Sequence, residues 1–240
     1  MQSITATVFL ITLTLLAILA WYKSKEHYEN VAQLDIFIIS LPIHKTDRLD
    51  PLVARLGGIT TITRVVGVDG KSQVKQASNM RQGQVGCWLS HVAVWRQVKT
   101  MTLVLEDDAN ITFPQHEQGV QTIINELDAI NPEWDMCYLG GRYADPESMV
   151  QLSTHIATST SSRIWHSHAY LIKPKAATSL LKQSATFNHS LDAADYNGIA
   201  PVDDWMTDPS RGLSIYKAEP NLINFIDDNI HDTFVERFLF

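Results

Sequence analysis

The feature that most limits the fold is Ile36-Phe37-Ile38-Ile39, an apolar run of β-branched and aromatic residues with no polar alternation. A strand with one wet face alternates; a continuous run is covered on both faces, the habit of strands in mostly parallel sheets. Leu103-Val104-Leu105, Met136 to Leu139 and Ala169 to Ile172 read as further strands. Between them, Val85, Trp88, Leu89, Val92 and Trp95 recur at helical spacing. So do Val120, Ile123, Ile124, Leu127 and Ile130, stopped by Asn131-Pro132. Asp50 as N-cap, Pro51 at the first helical position and Gly57-Gly58 as the stop predict a helix after the first strand, with Ile59 to Val66 as the next strand. Strands alternating with helices predict an α/β fold, a mostly parallel sheet with helices on both faces. Thr154 to Ser162 and Asn188 to Gly198 are polar without periodicity and read as surface loops.

Met1 to Tyr22 carries no charged side chain, and its apolar stretch Ile4 to Trp21 has the length of a transmembrane helix. No basic residue precedes it and Ile18 stands near Ala20, so an uncleaved single-pass anchor fits better than a signal peptide. Lys23 and Lys25 would place the following domain in the cytosol, but Glu26 and Glu29 offset them, and the side of the membrane stays open. The expected organisation is an anchor over residues 1–22, a polar stalk over 23–33 and one domain over 34–240. A formal charge of -7 without a Lys/Arg cluster argues against a nucleic-acid partner. Cys87 and Cys137 read as buried free thiols, too few for a disulfide framework.

The chemistry is concentrated where an apolar strand runs into three carboxylates, Leu103-Val104-Leu105-Glu106-Asp107-Asp108. Ligands of open α/β sheets sit beyond the carboxyl ends of strands, and negative charge gathered there is costly without a cation. Glu106 and Asp108, at alternate positions, point the same way and could share one Mn²⁺ or Mg²⁺ that also grips a diphosphate. An acidic surface turn or a helix N-cap is the competing reading.

Further segments stand in a fixed order around this triplet. They are Ile38 to Arg48, with its Asp47-Arg48; Gly67-Val68-Asp69-Gly70; Gly83-Gln84-Val85-Gly86-Cys87-Trp88-Leu89-Ser90-His91; His168-Ala169-Tyr170-Leu171-Ile172; and Pro201-Val202-Asp203. The series resembles glycosyltransferase family 25, the group of lipooligosaccharide and procollagen galactosyltransferases, from about Ile36 to Leu222. It departs at Ser40, where the family more often has Asn, and at Lys173, where Ser is usual. The resemblance implies a GT-A-like domain and inverting transfer of a hexose, galactose or glucose, from a UDP-sugar. The nucleotide-sugar donor and a glycan, lipid-linked or protein acceptor are the implied partners.

Residue by residue, it places Ser40, Leu41, Arg48, Asp69, Ser90, His91 and Asp107 near the donor, with Glu106 and Asp108 on the metal. Displacement at an anomeric carbon needs a base for the acceptor hydroxyl; Asp203 is the candidate, Asp204 the second. Structural readings stand beside these: Arg48 as a loop arginine, Asp69 as an Asx-turn residue, His91 as a satisfied core histidine, Asp203 as a helix cap. Asp227-Asp228 with His231 reads as a solvated tail or a late addition to a metal shell. A metal-dependent phosphohydrolase and a catalytically silent carbohydrate-binding relative are the alternative functions.

Overall fold

A computed structural model of the chain describes residue 14 and residues 34–57, 62–75, 80–111, 116–159, 161, 163–187, 191 and 199–226. The chain divides into two units, Met1–Leu34 and Asp35–Phe240; the architecture below belongs to the second. The expected membrane anchor is corrected here. Among the described residues no helix is long and apolar enough to cross a membrane. The longest have 14 residues, or about 21 Å against a hydrocarbon core of about 30 Å. Residues 1–22, apart from Thr14, lie outside the described residues, as do Asp227, Asp228 and His231.

The strands are β1 (Asp35–Ser40), β2 (Ile62–Val66), β3 (Thr102–Glu106), β4 (Ala109–Asn110), β5 (Met136–Tyr138), β6 (Arg142–Tyr143), β7 (Val150–Gln151), β8 (Ile156–Thr158), β9 (Ile164–Trp165), β10 (Ala169–Ile172), β11 (Ile215–Ala218) and β12 (Asn224–Phe225). An 8-stranded sheet has the order β2-β1-β3-β10-β5-β11-β8-β7. β1 runs parallel to β2 and β3, pairing Ile39 with Val65 and with Glu106. β11 is parallel to β5. β10 is antiparallel to both β3 and β5, and the outer strands β8 and β7 also pair antiparallel.

The sheet is therefore mixed, not mostly parallel. The reason lies between β5 and β10. β6 follows β5 closely, β9 precedes β10 closely, and the two pair with each other, Arg142 opposite Trp165. The chain thus re-enters the sheet at the end where it left, and β10 must run backwards. Thr154 to Ser162, expected as surface loop, contains β8, whose Ile156 and Ala157 are buried against β11.

Side chains of a strand alternate between faces. Phe37, Ile39, Val104, Tyr170 and Ile172 share one core with the helix Gln82–Trp95, the helix Pro174–Ser184 and the short helix Val202–Met206. Ile36, Ile38, Leu103, Leu105 and Leu171, of opposite parity, are buried as completely, so the central strands are covered on both faces. The helix Glu117–Ile130 buries Val120, Ile123, Ile124 and Leu127. Asp50 does not cap: Leu49 before it is already helical, at φ -62° and ψ -52°. Helical turns have run on from Pro42, and the Asp50 carboxylate instead receives Lys45 Nζ at 2.9 Å.

Candidate functional site

The loop Gly67 to Gly70 and the helix Gln82–Trp95 are locked together by two glycines. A Cβ on Gly70 would lie 2.0 Å from the carbonyl oxygen of Gln82, and one on Gly86 would lie 2.5 Å from that of Val68. Only bare backbone permits this approach. Ser90 secures it: its Oγ accepts the Val68 N–H at 2.8 Å and donates to the Gly86 carbonyl at 2.7 Å. Both hydroxyl bonds are thus turned inward to backbone. Asp69 caps the turn Gly70–Gln73, accepting Lys71 N–H at 3.0 Å and the Ser72 hydroxyl at 2.6 Å. The Ser72 hydrogen bond is the main reason its carboxyl sits below the usual range. Of the two readings of Asp69, its hydrogen bonds match the Asx turn.

The acid triplet gathers at the end of β3. Glu106 receives Ser167 Oγ at 2.7 Å and faces His91 Nε2 at 3.3 Å. Burial alone would raise its carboxyl, but the His91 and Ser167 contacts outweigh it and hold the group below its usual value. Asp107 lies 3.8 Å from Arg48 Nη1, and burial pushes its carboxyl up against the relief supplied by Ser40, His44 and Arg48; the Ser40 hydroxyl donates to the Leu41 carbonyl at 3.2 Å. Asp108 is raised further, to about 7, by burial and by the charges of Glu106 and Asp107. Its Oδ1 is buried with no hydrogen-bond partner. Ser40 stands where β1 ends beside β3, and Leu41 follows it over Gly67.

Asp203 joins this group through two adjacent residues. Its Oδ2 accepts His166 N–H at 3.0 Å, while Ser167, next along, donates to Glu106. His166 holds a left-handed backbone at φ 74°, a conformation that costs a non-glycine residue on the order of 1–3 kcal/mol and is worth noting near a candidate site. Burial raises the Asp203 carboxyl, and Asp204 and Glu106 add to the rise. Asp203 Oδ1 also accepts the Asp204 N–H at 3.0 Å in the first turn of the helix Val202–Met206, whose N-cap is Pro201 and carries no side-chain cap. Asp204 turns to Trp165, accepting its indole N–H at 2.8 Å.

The structure thus gathers Ser40, Arg48, His91, Glu106, Asp107, Asp108 and Asp203, and engages Asp69, Ser90 and Asp204 in hydrogen bonds elsewhere, to Lys71 and Ser72, to Val68 and Gly86, and to Trp165. Ser167, His166 and Cys87 were not expected there. Ser167 stands two residues before the fully buried β10, but its place beside Glu106 depends on that strand running backwards. Cys87, one helical turn before His91, groups with His91 and Glu106, their ligand atoms all within 4.8 Å of one another. The half-buried Cys87 thiol is held well above its ordinary pKa by desolvation, with Glu106 and Asp203 adding to the rise.

Carboxylates crowded at a strand end, an unpartnered buried oxygen on one of them and an arginine alongside form a site of concentrated negative charge. The large mixed sheet fits a GT-A-like fold, which defines the class as an α/β protein with a carboxylate-lined site. Comparison with known proteins narrows it. The family profile described as Glycosyltransferase family 25 (LPS biosynthesis protein) matches residues 34–206, and the chain belongs to that family.

Procollagen galactosyltransferase 2 of Homo sapiens is 26% identical over 220 residues, covering 79% of this chain and 34% of that protein. Procollagen galactosyltransferase 1 of Danio rerio is 24% identical over 220 residues, covering 79% and 36%. The probable inactive glycosyltransferase 25 family member 3 of Bos taurus is 30% identical over 132 residues, covering 51% and 22%. The chain spans roughly a fifth to a third of the length of these curated relatives.

Proposed function

We propose that this chain is a divalent-cation-dependent glycosyltransferase that moves a hexose, galactose or glucose, from a UDP-sugar to the hydroxyl of a glycan, lipid-linked or protein acceptor, with inversion. The observation that carries the reading is Asp108: a carboxylate pushed up to about 7 by burial and two neighbouring acids, with a buried Oδ1 that no donor meets. Glu106 and Asp108 would hold Mn²⁺ or Mg²⁺, which supplies charge neutralisation for a departing diphosphate. Arg48, beside Asp107, adds a fixed positive charge to the same end of the sheet. The galactosyl donor is favoured by the names of the procollagen galactosyltransferases among the relatives.

Asp203 is the base. It accepts the acceptor hydroxyl proton as that oxygen bonds the anomeric carbon and the bond to the diphosphate breaks, its electron pair leaving with the diphosphate. The His166 and Asp204 N–H groups fix the plane of the carboxylate, and its raised pKa brings it closer to the strength a base needs near neutrality.

The test is hydrolysis and transfer by the full chain across a panel of nucleotide sugars, with and without Mn²⁺. Activity that survives a chelator would sink the cation, and release of phosphate from simple esters would favour a phosphohydrolase. A second reading, a silent family member that binds without turnover, draws on the relatives named inactive. Donor binding with no turnover on any acceptor would establish it.

A further inference from the structure

The carboxylate of Glu106 stands at the end of a chain of hydrogen bonds whose direction can be worked out. An indole N–H has no lone pair to offer, so Trp95 Nε1, 3.3 Å from the Tyr170 hydroxyl, donates and Tyr170 accepts. Tyr170 keeps its own O–H to give, and Nδ1 of His91 lies 2.9 Å away. A neutral imidazole that accepts at Nδ1 carries its hydrogen on Nε2. That atom faces Glu106 Oε1 at 3.3 Å, the oxygen that also takes the Ser167 hydroxyl at 2.7 Å. Trp95, Tyr170 and His91 are each no more than 1% exposed, so solvent does not substitute for a missing partner.

We propose that His91 is a positioning residue. Held as its Nε2–H tautomer by Tyr170 and Trp95, it fixes Oε1 of Glu106 with a donated hydrogen bond and leaves the second carboxylate oxygen for a divalent cation. This deepens the cation-dependent reading above and rests on it. It also separates His91 from the donor sugar: the side chain acts through Glu106.

The competing arrangement is a thiolate, imidazole and carboxylate set of Cys87, His91 and Glu106 on one ion, as zinc prefers. It would require Nε2 to lose its hydrogen and Tyr170 to accept from both neighbours, leaving the phenol hydrogen without the acceptor that His91 Nδ1 provides. The donor count favours the hydrogen-bonded arrangement.

The experiment uses the full chain labelled with ¹⁵N-histidine, His91 being assigned by the signals lost in His91→Gln. Long-range ¹H–¹⁵N spectra should show a pyrrole-type Nε2 and a pyridine-type Nδ1. Loss of the outer partner in His91→Leu should weaken Mn²⁺ affinity about 10- to 100-fold, and Tyr170→Phe, which keeps the ring and removes a hydroxyl one hydrogen bond further out, should weaken it by less. Free Mn²⁺ is read by electron paramagnetic resonance. His91→Gln, whose amide can still donate to Glu106, should retain more affinity than His91→Leu.

An Nδ1–H tautomer or an imidazolium in the wild type overturns the inference, as does Mn²⁺ affinity unchanged in Tyr170→Phe. So does a Co²⁺ adduct with a thiolate charge-transfer band that Cys87→Ser removes. The Nε2–H tautomer in a chain that binds no Mn²⁺ refutes the proposed function together with this use of His91. Mn²⁺ binding with the opposite tautomer refutes the inference alone.

Discussion

Asp108→Asn removes the charge most penalised by its surroundings. The Asp108 carboxyl is raised from 3.8 to about 7, by burial first and then by Glu106 and Asp107, against partial relief from Arg48. Between these values the folded chain keeps a proton that the unfolded chain has released, so stability falls as pH rises. The penalty is absent below pH ~4, grows through the window and is complete above pH ~7; at ~1.4 kcal/mol per unit it reaches roughly 4 kcal/mol. Asn keeps the volume without the charge, but its amide inherits an unpartnered buried position at about 1–3 kcal/mol. The net expectation at pH 8 is a variant more stable by about 1–3 kcal/mol, and at pH 4 one that is no more stable than wild type. Urea denaturation of the full chain in chelator at both pH values measures this. Mn²⁺ should then raise the wild-type midpoint at pH 8 by mass action and leave the variant unmoved. A variant no more stable than wild type at pH 8, or stabilised equally at both pH values, would refute the reasoning.

Gly86→Ala tests the lock between loop and helix. Alanine is ordinarily preferred in a helix by about 1 kcal/mol, but here its Cβ would meet Val68 O at 2.5 Å and Gly70 N at 2.7 Å. Thermal denaturation should show a net loss of about 1–3 kcal/mol, and an unchanged or higher Tm would contradict the packing. Asp69→Ala should cost about 0.5–2 kcal/mol as a lost cap while the donor KM stays put; a raised KM would return Asp69 to the donor. Asp203→Asn keeps an acceptor for the His166 N–H and should lower turnover by ~10² to 10⁴ with donor and Mn²⁺ affinity unchanged. Weakened donor binding with normal turnover would move Asp203 to the binding shell and make Asp204→Asn the next variant to assay.

Parity and period explain what the sequence makes legible. Ile36 to Ile39 and Leu103 to Leu105 are buried on both faces because they have no polar residue to turn outward, and they form β1 and β3. The acid triplet could be placed at a strand end because a strand and its terminus are local properties. Strand direction is not local. Nothing within Ala169 to Ile172 says that β10 lies backwards between β3 and β5, so Ser167 could not be put beside Glu106. β8 is hidden for a related reason: Ile156 to Thr158 is short and set among Ser and Thr, and its pairing with β11 and β7 makes it a strand. Ser90 and Asp69 carry the polar groups a ligand site would use; Asp69 spends its carboxylate within its own turn, and the commitment of Ser90 to Val68 is set by the contact of two segments distant in sequence.

Trp88, Trp95 and Trp205 lie with ring centroids 4.8 to 6.4 Å apart. Indole transitions this close couple, so their near-ultraviolet circular dichroism belongs to the assembled trio and not to any single ring. Trp205 sits two residues beyond Asp203 on a helix of 5 residues, too short to persist without tertiary packing. Trp88 and Trp95 sit on the helix that carries His91. The coupled band is therefore a built-in optical gauge of whether Asp203 is seated against the helix that orients Glu106, readable without substrate, label or substitution.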